Sequence, residues 1–440
     1  MKNQVFVLLI HQARSHVYAD LMKRYLSEVG IKPVVISSSP LTEAHAEKIS
    51  LISDDVFIQD AEDLTQDGIS AYIEQLKQQY EIRGCLATYE GYRLLMSWVN
   101  AECGVVDAKD DEIKRCFDKL QLRQILVEHN LSTAQAHLVT AELLSELEGQ
   151  NHQLFIKPRR GIGSFSCFKY EPGLQYSQIE QLQAGMKKDI RFKNIFSGTY
   201  DFICESYIEG DEYSFEVIVL DSTVYVVGTH AKFLETMFGT TLETANSLPA
   251  VQLSDEQQHS GEAYVTACLQ ALQIKQGAYH VETRFDGSTG QWNIIEVNPR
   301  MGGALINQSV GVFAEKFDFL QMWVLSLVFS DGEKRTQFKQ TLAQLRESKR
   351  RADNSITTAS VFISKYGEPG KTLAKLSVDK LRRVPDICEI SATVGTKLPE
   401  SNRGIFLLNA LWKVDAKDLA NELPFLNQVL DEDLIIEYEK

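Results

Sequence analysis

The sequence is short of several things, and each shortage narrows the field. Positive charge is in deficit: 45 Lys and Arg stand against 60 Asp and Glu, a net charge of −15. Such a chain repels polyanions as a whole, so bulk nucleic-acid binding is not expected, although a pocket with a few placed cations can still hold a small anion. Long apolar runs are missing. The longest, near Phe317–Phe329, falls well short of the ~20 residues that span a bilayer. The apolar run Val5–Ile10 is too short to read as a secretion signal. The seven cysteines (Cys85, Cys103, Cys116, Cys167, Cys204, Cys268 and Cys388) include no CxxC. They read as reduced thiols in a reducing compartment, and a cytoplasmic protein is expected. The histidines form no HExxH or HxxxH pair, so a zinc site is not expected. Gly and Pro together occupy only 36 positions, which excludes collagen-like and low-complexity chains.

What remains is an ordinary globular composition, 44% hydrophobic over 440 residues, long enough for two to four domains. Short apolar runs at Gln4–Ile10, Lys32–Ser37, Val56–Ile58 and Gly84–Thr88 alternate with helical patterns at Ser15–Val29, Ile69–Tyr80 and Tyr92–Glu102. This predicts a parallel α/β layer over about residues 1–105. Asp110–Asn130 reads as one charged helix with Asp110 as its cap. Strands are predicted at Leu154–Pro158, Ser166–Tyr170, Phe202–Tyr207, Glu212–Leu220, Thr223–Thr229, Gly277–Asp286, Gln291–Val297 and Thr358–Ser364. Helices are predicted at 174–192, Ser254–Leu272 and Phe313–Phe329. The basic stretch Gly332–Asn354 reads as a boundary before a last mixed unit.

Four segments carry chemistry. In the first, a strand delivers Lys157, and Arg159-Arg160-Gly161-Ile162-Gly163-Ser164 follows. Glycines let backbone N–H groups approach phosphate oxygens, and nearby cations offset the charge. Gly161-x-Gly163 is not a dinucleotide fingerprint, because a strand follows it rather than a helix. Gly370-Lys371-Thr372 is not a P-loop, because Lys365 stands where the first glycine belongs. The second segment is His280-Val-Glu282 followed by Glu296-Val-Asn298-Pro-Arg300-Met-Gly302-Gly303. Glu296 and Asn298 point to one face of their strand. If that strand pairs with the strand of Glu282, two carboxylates and an amide oxygen meet, a set suited to Mg²⁺. Arg300, just beyond, can hold a phosphoryl or carboxylate anion. The third segment, Glu205 to Glu216, packs five acids into twelve residues, and could read adenine through main-chain groups and ribose through a carboxylate. The fourth is Asp118-Lys119-x-x-x-Arg123, whose two cations share a helix face.

Taken in this order, the four segments resemble the ATP-grasp superfamily, over roughly residues 1–330. Within it the chain looks most like the carboxylate–amine ligases, including bacterial L-amino-acid ligases. The branch shares a scaffold with biotin carboxylase and the formate-dependent glycinamide ribonucleotide transformylase. The resemblance implies an α/β (α+β) ATP-grasp fold. Its parts would be an N-terminal parallel α/β domain (1–109), a central subdomain with a Gly-rich lid (110–199), an ATP- and metal-binding region (200–331) and a C-terminal unit (332–440). It also implies roles. Lys119 and Lys157 would contact the ATP phosphates, under a lid from Arg160 to Ser166 that includes Gly161, Gly163 and Ser164. Glu205 would accept from the adenine amino group, with Tyr207 and Ile208 supplying backbone contacts, and Glu212 would hold the ribose. Glu282 and Glu296 would bridge two Mg²⁺ ions, or Mn²⁺ in their place, with Asn298 a further ligand. Arg300 would stabilise the transferring phosphoryl group, and Gly302 and Gly303 would admit a substrate carboxylate. Asn307 is a pocket candidate, while His230 and Lys232 have no motif to fix them.

The implied reaction joins a carboxylate, such as an amino acid, to an amine through an acyl phosphate, with release of ADP and phosphate. The alternatives are a carboxylase or formyl-transfer relative acting on bicarbonate or formate, and a non-catalytic nucleotide-binding relative. The sequence has no biotinyl-lysine module, though a partner subunit could carry one. Small-molecule substrates, a homodimer, and no nucleic-acid or membrane partner are expected.

Overall fold

The computed structural model describes residues 2–12, 18–149, 153–163, 165–189, 193–400 and 404–439. Ser164 and the helix start expected at Ser15 lie outside the described residues, as does the helix end expected at 190–192.

The N-terminal layer is a four-stranded parallel sheet in the order Val56–Ile58, Lys32–Ser37, Gln4–Ile10, Glu81–Leu86. Val5 to Ile10 are all buried. Helices cover both faces of such a sheet, which is why the strand reads as a continuous apolar run rather than an alternation. The helices Ala19–Glu28, Gln66–Gln79 and Arg93–Glu102 match the periodicity. Glu43–Ile52 was not legible, because only Ile49 and Ile52 of its face are buried.

Asp110–Asn130 is two helices, Asp110–Phe117 and Lys119–Glu128. The chain breaks at Asp118, whose carboxylate accepts from the Leu120 and Gln121 N–H groups at 3.1 Å each. Asp118, not Asp110, is therefore the capping residue. The break places Lys119 in the first turn of a new helix.

A small antiparallel sheet follows, in the order Ala136–Leu138, Phe202–Ser206, Leu154–Pro158, Phe168–Lys169. The last strand is shorter than predicted because Ser166 adopts a φ of 52°, which no strand residue can hold.

The main sheet has eight strands in the order Gln291–Asn298, Gly277–Asp286, Asp211–Leu220, Thr223–Met237, Thr240–Leu248, Thr358–Gly367, Ile405–Asp415, Ile387–Ile390. Neighbours in it run antiparallel. Thr223–Met237 is longer than predicted and turns back through Phe238-Gly239, both at positive φ. Such a two-residue loop matches the strand twist, but phenylalanine at its first position conceals it in the sequence. Through Thr240–Leu248 and Thr358–Gly367 the sheet crosses the boundary drawn between residues 331 and 332, so backbone pairing joins the C-terminal unit to the preceding region.

Two other expectations fail. Phe313–Phe329 is not one helix: Ile306–Ala314 ends at Glu315 (φ 61°), and Phe319–Val328 begins anew, capped by Asp318. The stretch Gly332–Asn354 is not a linker but two helices, Gly332–Leu345 and Glu347–Ala352. Its basic residues are anchored, Arg335 to Asp221 at 2.7 Å and Arg351 to Glu347 at 2.9 Å. Phe319–Val328 is buried at nearly every position and shares one core with the N-terminal sheet, including Phe6, Leu86 and Trp323. That shared core holds the N-terminal layer beside the site.

All seven cysteines are free. Among the described residues no helix is long and apolar enough to cross a membrane.

Candidate active site

The site is built along the edge strand Gln291–Asn298. Its pairing with Gly277–Asp286 sets Glu282 directly opposite Glu296, and His280 opposite Asn298. The two carboxylates and the amide expected from the sequence are thus on adjacent strands. Lys119 Nζ lies 3.0 Å from Glu296 Oε2, and Asn298 donates to Glu296 Oε1 at 3.0 Å. Lys157 donates to the Ile295 carbonyl at 3.4 Å and Arg123 to that of Ile294 at 2.6 Å. Arg300 approaches Asn298 Oδ1 at 3.5 Å. A cleft lined by Glu90, Lys119, Arg160, Gly161, Glu296 and Asn298 opens beside these groups.

Every buried cation here faces a carboxylate. Lys157 is in close ion pair with Glu205, and Arg123 stands 3.4 Å from the same carboxylate. Leu154–Pro158 and Phe202–Ser206 bring them together, because Lys157 pairs with Ile203 and Glu205 sits two residues along on the same face. Burial opposes the ionisation of Glu205, but Lys157 and Arg123 outweigh it and hold the carboxyl below the usual range. Burial likewise opposes the charges of Glu296 and Lys119, and their mutual pairing lowers the one pKa and raises the other.

Lys232 is a hub. Its ammonium lies 3.1 Å from Glu282, 3.0 Å from Glu243 and 3.6 Å from Glu212. Burial works against this lysine, yet the three carboxylates hold its pKa well above the ordinary value. Glu212 also meets Arg284 at 3.3 Å, but burial prevails and its carboxyl is raised.

Arg300 is fixed by Glu90 at 2.5 Å and donates to the Met301 carbonyl at 2.8 Å. Glu90 was missed in the sequence. It sits in a single 3-10 turn, Glu90–Tyr92, and its partner is 210 residues away.

The lid segment is anchored at its two adjacent arginines. Arg159 is clamped by Asp118 at 2.5 and 2.9 Å, and the Arg160 guanidinium lies 5.0 Å over the Phe117 ring. At Gly161 it is the carbonyl that is engaged, accepting from Lys119 at 3.1 Å. Gly163 turns with a φ of 61°. The Tyr207 ring has the Lys169 ammonium at 4.4 Å and the Arg284 guanidinium at 5.3 Å, its N–H donates to the Gln153 carbonyl, and the Ile208 carbonyl accepts from Arg284 at 2.7 Å.

Two of the substrate candidates have other work. A Cβ at Gly302 would lie 2.8 Å from His280 Nδ1 and 2.9 Å from Ile306, so this glycine makes room for the histidine ring; Gly303 faces open space. Asn307 is fully buried and accepts from the Leu320 N–H at 2.6 Å. It supports the start of Phe319–Val328 and does not line the cleft.

Comparison with known proteins agrees with this architecture. Residues 150–308 match the ATP-grasp domain family. An L-amino acid ligase from Bacillus licheniformis superposes with a TM-score of 0.75 at 17% identity, covering 100% of both chains. A biotin carboxylase from Campylobacter jejuni, solved with β,γ-ATP, gives 0.66 at 14% identity over 100% of this chain and 92% of that one. The carbamoyl phosphate synthase large chain of Thermotoga sp. (strain RQ2) is 23% identical over 301 residues. That match takes in 65% of this chain and 26% of the relative, so it spans about a quarter of the relative's length.

Proposed function

Because this chain carries an ATP-grasp domain, we propose that it is an ATP-dependent ligase. It activates a carboxylate as an acyl phosphate and passes the acyl group to an amine. An amino acid is the proposed carboxylate and a second amino acid the proposed amine. The observation that carries this reading is the convergence of Lys119, Lys157, Arg300 and the Glu282–Glu296–Asn298 set on one edge strand. The full-length likeness to an L-amino acid ligase supports the ligase branch.

The donor set fits Mg²⁺. Glu282 and Glu296 are hard oxygen ligands on adjacent strands, and each already holds a lysine ammonium at 3.0–3.1 Å, so each position accepts a cation. Two carboxylates leave coordination for phosphate oxygens, as Mg²⁺ prefers. When bound, the metal neutralises phosphate charge. The chain's own residues do the rest. Lys119 and Lys157 exchange their carboxylate partners for phosphate oxygens. Glu205, itself held by Arg123, keeps Lys157 on the strand face until then. Glu212 accepts from the ribose hydroxyls. Arg300, locked by Glu90, offers its remaining N–H groups to the oxygens that gain charge as the γ-phosphoryl moves. The carboxylate oxygen attacks the γ-phosphorus and ADP departs. The amine then attacks the acyl carbon and phosphate departs.

ADP release over a panel of amino acids and simple carboxylates, with and without amines, tests the reading. ADP and an amide in equal amounts, only with both partners present, are expected. ADP release driven by bicarbonate alone would move the assignment to the carboxylase branch. Glu296→Gln should abolish turnover with the fold intact, and unchanged turnover at ordinary Mg²⁺ would remove the site.

A further inference from the structure

Behind Glu282 runs a buried polar column that the proposed chemistry does not use. His280 precedes Glu282 by two residues on one strand, so both side chains share a sheet face. Its Nε2 lies 3.1 Å from Glu282 Oε1, and its Nδ1 lies 2.8 Å from Glu216 Oε1. Glu216 is fully buried on the neighbouring strand, in register with His280. Its Oε1 also accepts from Ser214 Oγ at 3.1 Å and faces His230 Nδ1 at 3.3 Å. His230 Nε2 meets Ser309 Oγ at 2.8 Å, and Ser309 meets Ser360 Oγ at 2.6 Å. The column therefore runs from Glu282 to the strand Thr358–Gly367.

Three features make this more than a way of satisfying buried atoms. The imidazole is held at both nitrogens, which leaves its ring no second orientation. The glycine at 302 clears the space for that ring, since a Cβ there would stand 2.8 Å from Nδ1 and 3.0 Å from Cε1. And His280 and Lys232 both meet the same Glu282 oxygen, Oε1, each at 3.1 Å. The carboxylate is thus held at one oxygen by two donors.

We propose that His280 is a positioning residue, fixing Glu282 in its metal-binding orientation, and that Glu216, braced by Ser214 and His230, fixes His280. The inference rests on reading Glu282 and Glu296 as the metal ligands. Hydrogen-bond partners that orient a metal ligand commonly contribute ~10–100-fold to metal affinity.

The test is Mn²⁺ binding to the full chain with a non-hydrolysable ATP analogue, with free Mn²⁺ counted by electron paramagnetic resonance beside the Tm of each variant. His280→Ala should weaken Mn²⁺ at least ~10-fold, and kcat should largely return at saturating metal. Gly302→Ala, which crowds the ring without removing it, should weaken Mn²⁺ in the same direction, and it carries the test should His280→Ala not fold. A lowered Tm with Mn²⁺ affinity within twofold of the parent, in whichever of the two variants folds, would overturn the inference and leave His280 a packing residue. Glu296→Gln separates the two levels. If it too keeps full Mn²⁺ affinity, the metal reading itself fails; if it loses Mn²⁺ while the His280 and Gly302 variants do not, only the positioning role fails.

Discussion

Lys119, Lys157, Arg123, Lys232 and Arg300 are buried or nearly so, and each faces at least one carboxylate. Buried charges need this arrangement, because an unpaired one is costly. On the proposed function it also makes the site exchangeable: an incoming phosphate would replace a carboxylate as the partner of a lysine, and a metal ion would replace a lysine as the partner of a carboxylate. Arg300 is the sharpest case at this scale. Its Nε is bound by Glu90 and one terminal nitrogen by the Met301 carbonyl, so the planar fork is held in a set direction. Lysine cannot reproduce that fork. Arg300→Lys is expected to lower kcat by ~10²-fold with a smaller change in KM, read by steady-state ADP release. A rise confined to the KM of the carboxylate would make Arg300 a ground-state clamp instead. The residues legible in the sequence were those in compact motifs, Lys157, Glu282, Glu296, Asn298 and Arg300. Glu90 and Glu216 were not assigned, because each acts through a partner far away in the chain. Asn307 misled because motif proximity says nothing about which way a side chain is buried.

At the scale of elements, single residues at helix ends decide where side chains are delivered. Asp118 ends one helix, starts the next, and clamps Arg159. Asp118→Ala should cost ~1 kcal/mol through the cap alone and should weaken nucleotide binding, because the loop after Lys157 loses its anchor. Thermal unfolding and ATP-analogue titration read the two effects separately, and a loss of stability with unchanged nucleotide affinity would contradict the anchoring role. Glu347 tests a different element. It is fully buried at the start of Glu347–Ala352, beside Arg351 and Glu262, and burial pushes its carboxyl up to about 7 against the pull of Arg351. Between the ordinary value of 4.5 and about 7 the folded chain holds the extra proton, so stability falls as pH rises through that window. Glu347→Gln should gain about 3 kcal/mol over the parent at pH 8 and under about 1 kcal/mol at pH 5. A difference that does not vary with pH would contradict the assignment. The apolar run Gln4–Ile10 was readable to the residue, and so was Gly277–Asp286, where a glycine at the start and the turn after Asp286 mark the ends. The charged second half of Thr223–Met237 was not, since Lys232 there answers to the site rather than to a core and Glu235 is exposed.

For the whole molecule, one eight-stranded sheet carries the Glu282 and Glu296 carboxylates at one edge and the C-terminal unit at the other. The Phe319–Val328 helix seats the N-terminal layer, and with it Glu90, against the same site. The overall likeness was readable because four weak motifs fell in a fixed order. The joining of the last unit by backbone pairing was not, because strand pairing leaves no local signature. On the proposed function a substrate carboxylate takes the γ-phosphoryl group of ATP in this cleft, and an isotope measurement tests that transfer. A carboxylate substrate found by the ADP panel is labelled with ¹⁸O on both oxygens and turned over with ATP and amine, and the released phosphate is weighed by mass spectrometry. One ¹⁸O in each phosphate formed, with the other retained in the amide, is the expected result; phosphate free of label would contradict it.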